Sequence, residues 1–444
     1  MNNIQEYEKF ADTTRYLIIE EDLYSNLYED FAAFIQNLPL LIICDENTRK
    51  AAGTNFIKFC GDNNIVIEKE HIFPAEPELT SDYTNIETII SLLNTSSAIP
   101  VAIGSGTIND LVKRASFEAG RKYAVIATAA SVDGYASDGA AILYNGLKQT
   151  LPCSAPAIIA ADPTVLTNAP LEMASSGYAD LIAKNPAGVD WIIADSVGLD
   201  PIVPEIWELI QGNLLTWISK PKKIRQKDKE VFGRVFKGLT VSGFAMQYMK
   251  RSRPVSGAEH LMSHIWEMNN HTYKGKHISH GFKVGIGSLA SVALMETMIQ
   301  WELTDDVIAE ALAKWPTWEK RKSDVEENFK GMIALNDLLV INKKKYINKD
   351  QLEERLHLLS QNWENLKKQI KNHLIPYSEY KHKLKQAGCP VSPGEIGLTR
   401  DQVVETYVPA QMMRNRYSIL DLAYETGMLG LCSFEIMDSD IYLY

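Results

Sequence analysis

The spacing of hydrophobic residues changes about a third of the way along the chain. Up to about residue 165, short apolar runs alternate with helical patterns, and the runs cover residues 38–48, 63–73, 97–107, 122–131 and 155–163. Runs that are continuously apolar and rich in Ile, Val and Ala are typical of strands buried on both faces of a parallel sheet. From about Pro170 onward, apolar residues recur at three- and four-residue spacing, which indicates helices.

This change predicts an α/β domain over residues 1–168 and an all-α domain over residues 169–444. The chain has 444 residues, of which 45% are hydrophobic and 23% charged. These values are ordinary for a globular protein, and the length suffices for two or three domains. Residues 350–386 are densely charged with a leucine stripe, so we interpret them as solvated amphipathic helices interrupted near Pro376.

Composition excludes several classes of partner. The formal net charge is −11, so no overall positive field exists that would attract nucleic acid or anionic lipid. The acidic N-terminus does not fit a signal peptide, and no apolar run reaches the ~18 residues of a membrane span, so we expect no membrane insertion. Five cysteines occur without a CxxC pair, which favours reduced thiols and a cytoplasmic location.

A strand-to-helix turn in the α/β domain has the composition of a phosphate site. In VAIGSGTINDLVKRA, residues 101–115, Gly104 and Gly106 flank Ser105 ahead of a helix that contains Asp110. Glycines let a ligand approach the backbone, and free amides at a helix start attract phosphate or pyrophosphate. Because the third glycine of the usual dinucleotide fingerprint is absent, a tight turn without a ligand fits these residues about equally well.

Two further strand ends carry side chains suited to a ligand. Asp45 follows the strand LLIIC, where a carboxylate either accepts both hydroxyls of an adenosine ribose, which favours NAD, or caps the next helix. The loop after the strand KYAVIA carries Thr128, Ser131, Asp133 and Ser137. In open α/β sheets, ligands bind beyond the carboxyl ends of the strands. We therefore expect this loop beside the Gly104 turn.

Histidines cluster with one carboxylate in the helical half. The residues concerned are Asp180, His260, His264, His277 and His280. A carboxylate and two imidazoles are the usual ligands of a catalytic divalent metal with open positions. Glu259 stands before the first histidine rather than after it, so the metalloprotease helix motif is not met. Spacing alone does not decide which histidines bind a metal.

Six motifs taken together resemble one enzyme superfamily. They are GSGTINDLVK, TAASVDGYAS, GYADLIAK, SRPVSGAEHLMSH, SHGFKVGIG and MRNRYSILDLAYETGML. The set resembles the iron-containing alcohol dehydrogenase and glycerol dehydrogenase superfamily, which includes dehydroquinate synthases, and within it the sn-glycerol-1-phosphate dehydrogenases of the bacterial AraM-like branch. The resemblance implies a Rossmann-like dinucleotide-binding domain over residues 1–168 and a helical metal- and substrate-binding domain over residues 169–444.

The resemblance also implies a role for each matching residue. The cofactor pyrophosphate would lie against Gly104, Ser105, Gly106, Thr107 and Asp110, the adenosine ribose against Asp45, and the nicotinamide side along Thr128, Ser131 and Ser137. The implied metal ligands are Asp180, His260 and His280. The substrate would contact Asp133, Asp180 and His264, of which Asp133 and His264 would be catalytic. His277 matches no role in the family.

The implied reaction is reversible hydride transfer between dihydroxyacetone phosphate and sn-glycerol 1-phosphate. It would use NAD(H) or NADP(H) and one divalent ion, Zn, Ni or Fe(II). Three alternatives stay open: a polyol dehydrogenase acting on unphosphorylated glycerol, a dehydroquinate-synthase-like lyase that recycles NAD, and a silent nucleotide-binding protein. For the substrate phosphate, Arg251 and Arg253 are the most economical candidates. The chain is longer than typical relatives, with a mostly helical insertion around residues 340–386, and we expect a homodimer.

Overall fold

The computed structural model describes residues 3–144 and 147–444. The chain forms two compact units. The first unit comprises Met1–Leu181 and Gly212–Ser252, and the second comprises Ile182–Gln211 and Arg253–Tyr444. Within the described residues, no helix combines the length and the apolar character that crossing a bilayer requires.

The first unit is built on a six-stranded parallel sheet. Strands β1 to β8 are Tyr16–Ile19, Leu40–Asp45, Ile67–Phe73, Ile99–Gly104, Ala124–Ala127, Gly139–Tyr144, Leu147–Pro152 and Ile158–Ala161. The strand order in the sheet is β1-β8-β5-β4-β2-β3, whereas β6 and β7 pair as a separate antiparallel hairpin. The central strands β2, β4, β5 and β8 are almost fully buried, which explains their continuous apolar runs.

Helices surround this sheet and make up nearly all of the second unit. Helices α1 to α7 are Tyr28–Ile35, Glu46–Thr48, Thr54–Asp62, Tyr83–Asn94, Gly106–Glu118, Pro163–Asn168 and Leu171–Ile182. Helices α8 to α15 are Lys184–Ser196, Pro204–Trp217, Lys222–Arg225, Lys229–Met249, Ala258–Met268, His280–Met298, Asp305–Lys314 and Trp318–Asn328. Helices α16 to α22 are Leu335–Lys345, Lys349–His373, Tyr377–Ala387, Arg400–Glu405, Tyr407–Met412, Ile419–Glu425 and Leu429–Asp438. A short antiparallel pair, β9 (Thr272–Tyr273) and β10 (Lys276–His277), separates α12 from α13.

Three features of the sheet differ from the expectation. The edge strand β1 was not predicted, because its four residues stand between charged residues and are too few for a clear pattern. The predicted strand over residues 63–73 is the other edge, and most of its side chains are at least partly exposed. The hairpin β6–β7 lies in a stretch that carries no strong strand signal, between the predicted strands over residues 122–131 and 155–163.

The strand order contains a switch point at β2 and β4. From β2 the chain proceeds outward to β3, and it then returns to β4 on the other side of β2 before continuing to β5. Cys44 of β2 pairs with Ile103 of β4, so the ends of these two strands are neighbours. Ligands of open α/β sheets bind at such a point, outside the carboxyl ends of the strands.

The division into units differs from the predicted boundary between residues 168 and 169. Helix α7 up to Leu181 and helix α11 belong to the first unit, because α11 packs against α6 and against the 3-10 turn Asp133–Ala136. The change in hydrophobic spacing marks where the strands end, and packing of helices onto the sheet continues beyond that residue. The boundary at residues 168 and 169 therefore marks the end of the strand-containing part of the chain, and it does not mark the limit of a compact unit.

In the second unit, α12 and α13 pack closely together. A Cβ atom on Gly287 of α13 would lie 2.5 Å from the carbonyl oxygen of Glu259 of α12, so only glycine allows this approach. The charged helix α17 buries one apolar stripe against α8 and α14 and ends at His373. Helix α18 begins after Pro376, which confirms the predicted amphipathic helices and their interruption.

Candidate active site and cofactor site

The turn between β4 and α5 leaves helix amides available for an anion. Ser105 is the N-cap of α5 and makes no side-chain capping hydrogen bond. By contrast, Asp45 and Asp162 cap the helices that follow β2 and β8. Because the first amides of a helix have no partner within it, the uncapped start of α5 at the switch point suits a phosphate or pyrophosphate. Thr107, in the first turn, is partly exposed.

The glycines of this turn are also required by packing. A Cβ atom on Gly104 would lie 2.5 Å from Cβ of Ile108, and one on Gly106 would lie 3.0 Å from Cγ2 of Val132. A larger residue at position 104 would therefore force the turn away from its own helix. The glycines alone do not indicate a ligand, and that interpretation depends on the uncapped helix start and the strand order.

Asp45 performs the capping role that its position allowed. Its Oδ1 atom accepts hydrogen bonds from the amides of Asn47 and Thr48, both at 2.8 Å. An ionised carboxylate offers about four lone-pair sites, so capping leaves acceptors for ribose hydroxyls. Asp45 lies at the carboxyl end of β2, beside the end of β4. The cap and the ribose contact are thus compatible.

Two of the predicted cofactor residues are engaged inside the protein. Lys113 is fully buried, and its Nζ donates to the carbonyl oxygens of Gly134 at 2.5 Å and Gly139 at 3.0 Å, and to Ser137 Oγ at 3.3 Å. Asp110 Oδ2 accepts the amide of Ala141 at 3.1 Å. These contacts fasten the polar loop and the β6–β7 hairpin to α5, so the structure gives Asp110 and Ser137 a role in holding the loop.

The rest of the polar loop lies beside the glycine turn, as expected. The amide of Thr128 donates to the carbonyl oxygen of Gly104 at 3.0 Å. Thr128 and Ser131 are buried, whereas Asp133 is partly exposed. The amide of Asp133 donates to Oδ2 of Asp180 at 3.0 Å. The loop thereby connects the predicted pyrophosphate site to the predicted metal ligand.

Asp180 is placed by the packing of α7 on this loop. A Cβ atom on Gly177 would overlap the carbonyl oxygen of Ala130, so glycine lets α7 touch the loop backbone. Asp180 follows one helical turn later and is fully buried. Burial of an ionised carboxylate is costly unless it is hydrogen-bonded or binds a cation. The amide of Asp133 compensates part of this cost, and a carboxylate at this position also suits a cation.

Three imidazoles form a triangle in the second unit. Ring centroids are 5.5 Å apart for His260 and His280, 6.1 Å for His264 and His280, and 6.4 Å for His260 and His264. His260 and His264 lie one turn apart on α12, and His280 begins α13. His277 is exposed on β10. The spacing in sequence did not decide among the histidines, and the fold separates His277 from the rest by its exposure.

Two glutamates orient these imidazoles. Nδ1 of His260 lies 2.8 Å from Oε1 of Glu259, and Nδ1 of His280 lies 2.9 Å from Oε1 of Glu267. Nδ1 of His264 lies 3.4 Å from Oε2 of Glu267. Since a carboxylate only accepts hydrogen bonds, each Nδ1 carries hydrogen and each Nε2 is left as the available ligand atom.

The sequence interpretation missed both glutamates as functional residues. In the sequence, Glu259 only distinguishes this helix from the metalloprotease pattern, and Glu267 lies outside the six motifs. The available signal was the three-residue spacing from His264 to Glu267, which places both side chains on one face of a helix. Lys283 Nζ also lies 3.1 Å from Oε1 of Glu267, which compensates the charge of this buried carboxylate.

Asp180, His260 and His280 each offer one ligand atom, and these atoms all lie within 4.8 Å of one another. Helix α7, which carries Asp180, continues across the division between the units, which falls one residue after Asp180. One carboxylate and two imidazole nitrogens, with the imidazoles oriented by carboxylates, fit a divalent transition metal. The structure thus brings together the three residues predicted as metal ligands.

A buried carboxylate fixes the start of α12. Asp190 accepts the amide of Ala258 at 2.7 Å and the amide of Ile419 at 2.7 Å. Burial, followed by the charge of Glu259, raises the pKa of Asp190 to about 7. A Cβ atom on Gly257 would overlap Asp190, so glycine is needed at this position. These contacts fix the first residues of α12 and thereby the position of His260 in the first turn of that helix.

His264 is neutral at neutral pH. Burial lowers its pKa to about 4, the charges of Arg414 and His280 act in the same direction, and Glu267 opposes them. Arg253, expected near the substrate phosphate, is 1% exposed, and its Nε donates to Oδ2 of Asp200 at 2.8 Å. The Arg253 guanidinium is thus paired with a carboxylate inside the protein, and its role toward a substrate phosphate stays a prediction.

Comparison with known proteins places the chain among relatives of this architecture. Residues 19–170 match the family described as iron-containing alcohol dehydrogenase. The chain is 31% identical over 269 residues to a protein of Bacillus subtilis and 33% identical over 269 residues to one of Bacillus velezensis, both named glycerol-1-phosphate dehydrogenase [NAD(P)+]. The chain belongs to this family. The resemblance to the sn-glycerol-1-phosphate dehydrogenases of the iron-containing alcohol dehydrogenase superfamily is thereby confirmed.

The matches to these relatives are partial in length. They cover 60% of this chain and 68% of the Bacillus subtilis protein, and 59% and 67% for the Bacillus velezensis pair. A relative of the same name from Halalkalibacterium halodurans is 31% identical over 58% of this chain and 65% of its own length. The matched segment thus spans about two thirds of the length of these family members.

Solved structures show the fold over almost the whole chain. Glycerol dehydrogenase from Schizosaccharomyces pombe superposes with a TM-score of 0.58 at 12% identity, covering 98% of this chain and 95% of its own. Sulfoacetaldehyde reductase from Bifidobacterium kashiwanohense in complex with NAD+ gives a TM-score of 0.56 at 12% identity, covering 95% and 98%. The predicted class, a parallel α/β N-terminal part followed by helices, is confirmed.

Proposed function

We propose that this protein is an NAD(P)-dependent, metal-dependent dehydrogenase that interconverts dihydroxyacetone phosphate and sn-glycerol 1-phosphate. The observation that carries the proposal is the set of ligand atoms from Asp180, His260 and His280 within 4.8 Å of one another. The relatives named glycerol-1-phosphate dehydrogenase support the substrate. Cytoplasmic location and a homodimer remain part of the proposal.

In this proposal the metal is held by Asp180, His260 and His280, and Zn, Ni and Fe(II) all suit one carboxylate with two imidazoles. When bound, it supplies Lewis-acid polarisation of the substrate oxygen. Glu259 and Glu267 keep the Nε2 atoms of His260 and His280 available by engaging Nδ1. The protein thereby fixes the ligand orientation before the ion arrives.

The cofactor is NAD(H) or NADP(H), with its pyrophosphate at the start of α5. The uncapped amides after Ser105 and the positive end of the helix dipole favour the two phosphates. Asp45, at the end of the adjacent strand, accepts the ribose hydroxyls and favours NAD(H), because its charge repels a 2'-phosphate. Thr128 and Ser131 line the nicotinamide side of the same edge.

Asp133 and His264 act on the substrate in this proposal. His264 is neutral, so it presents one donor and one acceptor nitrogen, and Glu267 fixes Nδ1 as the donor. Its Nε2 therefore accepts a hydrogen bond from a substrate hydroxyl and positions it. The backbone amide of Asp133 donates to Asp180, so the loop after β5 carries a second carboxylate next to Asp180.

One assay tests the proposal and separates it from the alternatives. NADH and NADPH oxidation is measured with dihydroxyacetone phosphate and with dihydroxyacetone, and the product is then tested with an enantiospecific glycerophosphate enzyme. We expect turnover of the phosphorylated ketone to the sn-1 product. Turnover of dihydroxyacetone alone would identify a polyol dehydrogenase, and activity indifferent to removal of metal by a chelator would contradict the metal-dependent mechanism.

A further inference from the structure

The loop between α20 and α21 brings two arginines to the start of the histidine helix. It covers residues 413–418 and carries Arg414 and Arg416. Nη1 of Arg416 donates to the carbonyl oxygen of Ser256 and, at 3.0 Å, to its hydroxyl oxygen. Ser256 stands two residues before the first residue of α12. The loop is therefore fastened to the segment that leads into His260 and His264.

Two cations hold the backbone of this loop at its ends. Nζ of Lys345 donates to the carbonyl oxygen of Gln411 at 2.7 Å and to that of Arg414 at 3.2 Å. At the far end, Nη2 of Arg253 donates to the carbonyl oxygen of Tyr417 at 2.7 Å. Lys345 is the last residue of α16 and lies in the helical insertion around residues 340–386. This insertion therefore supports the loop. The backbone that carries Arg414 is thus held in place.

Arg414 differs from its neighbours because its charge has no partner. Among the residues that the structure describes, none forms a hydrogen bond or an ion pair with its guanidinium. Arg414 is exposed. The Arg253 guanidinium, in contrast, is paired with Asp200. Uncompensated like charges close together repel one another, and a bound anion removes that repulsion.

Arg414 belongs to a loop that contacts the start of the histidine helix α12. Burial, followed by the charges of Arg253 and Arg414, lowers the pKa of Arg416 to about 9. Arg414 precedes Arg416 by two residues, and the guanidinium of Arg416 contacts Ser256 just before α12. The loop therefore brings both cations to the start of the helix that carries His260 and His264.

We propose that Arg414 binds the phosphate group of the substrate, with the reacting carbon of the same molecule directed toward His264. This inference rests on the proposed function. The planar guanidinium matches a phosphate dianion with two parallel hydrogen bonds, and Arg414 has all its donors free for them. Arg253, a candidate suggested by the sequence, donates to the backbone of this loop and is paired with Asp200.

The first test compares Arg414→Gln and Arg414→Lys in the metal-loaded enzyme. We expect Arg414→Gln to raise KM for dihydroxyacetone phosphate roughly 10- to 100-fold, as for loss of a charged hydrogen bond, with a much smaller change in kcat. Arg414→Lys keeps the charge and loses the planar fork, so its KM should lie between those of the wild type and Arg414→Gln. Lys344→Gln, which removes an exposed cation from the same region, is the control and should leave KM unchanged.

The second test does not depend on turnover. Binding of inorganic phosphate to the metal-loaded protein is measured by titration calorimetry for the wild type, Arg414→Gln and Lys344→Gln. We expect at least roughly tenfold weaker binding in Arg414→Gln alone. A wild type that binds no phosphate, or equal binding in all three, overturns the proposal. An enzyme that binds phosphate through Arg414 but does not reduce dihydroxyacetone phosphate would instead reject the proposed function.

Discussion

Nδ1 of His280 lies 2.9 Å from Oε1 of Glu267, and the other oxygen of the same carboxylate lies 3.4 Å from Nδ1 of His264. One glutamate thus orients a proposed metal ligand and a proposed substrate contact. The two roles are coupled through a side chain that contacts neither metal nor substrate. Glu267 is therefore a positioning residue, and its substitution should affect metal binding and substrate binding together.

We predict that Glu267→Gln weakens metal binding roughly 10- to 100-fold, the usual loss when the carboxylate behind a metal-binding histidine is removed. The amide is neutral and therefore a weaker acceptor for Nδ1 of His280. Competition with a chromophoric chelator measures the affinity without reference to activity. Glu405→Gln, a change at an exposed glutamate of the same unit, is the control. Unchanged metal affinity in Glu267→Gln would reject the positioning role.

The two histidines of α12 should respond differently to substitution. His260→Ala removes a proposed ligand atom, so we expect loss of both the metal and turnover. His264→Ala leaves the three ligand atoms in place, so the metal content should stay near one ion while kcat/KM falls roughly 100-fold or more. Metal analysis of the purified variants distinguishes the two outcomes. An empty site in His264→Ala would show that the roles are assigned wrongly.

Asp45 allows its two roles to be separated. Asn caps a helix about as well as Asp, so Asp45→Asn should keep α2 and the midpoint of thermal unfolding. The loss of charge should raise KM for NADH and lower KM for NADPH, each by several-fold, because the repulsion of a 2'-phosphate disappears. Asp162→Asn, the same change at the cap of α6, is the control. An unchanged ratio of the two KM values would leave Asp45 with capping alone.

Elements of the fold could be predicted where the signal for them lies within a few consecutive residues. The buried strands were visible because a continuous apolar run reports burial on both faces, and the glycine turn was visible because a turn is local. The edge strand Tyr16–Ile19 has only four residues and pairs with Ile158–Ala161, so its support comes from residues about 140 positions away. That pairing cannot be seen in the run itself.

The same limit applies to the functional site. Chemistry alone pointed to a metal site among Asp180 and the clustered histidines, and the choice of His260 and His280 came from the family resemblance. It did not reveal the pairing of Arg253 with Asp200, because that carboxylate stands 53 residues earlier. It also gave no reason to choose Arg414, whose importance depends on having no partner in the folded protein. Unpaired charge is a property of the tertiary structure.

Glu425 belongs to a polar network that contacts Tyr417 in the loop between α20 and α21, and its titration can be tested. Its Oε1 lies 2.5 Å from Nη1 of Arg355, and its Oε2 accepts a hydrogen bond from the hydroxyl of Tyr417 at 2.7 Å. Burial nevertheless raises its pKa from 4.5 to about 7. A raised carboxyl pKa means that the folded state binds a proton more tightly than the unfolded state.

The sign of the pH dependence follows directly. The contribution of Glu425 to stability is fully present below pH 4.5 and is lost as the pH rises to about 7. At ~1.4 kcal/mol per pH unit, the loss reaches about 3 kcal/mol at most.

Glu425→Gln keeps both hydrogen bonds, because an amide can accept from Arg355 and donate to Tyr417, and it cannot ionise. We therefore expect the variant to gain stability relative to the wild type between pH 5 and pH 8. Urea unfolding at both pH values measures the difference, with Glu405→Gln as the exposed control. A difference that is the same at both pH values would show that Glu425 is ionised throughout, as a permanent ion pair with Arg355.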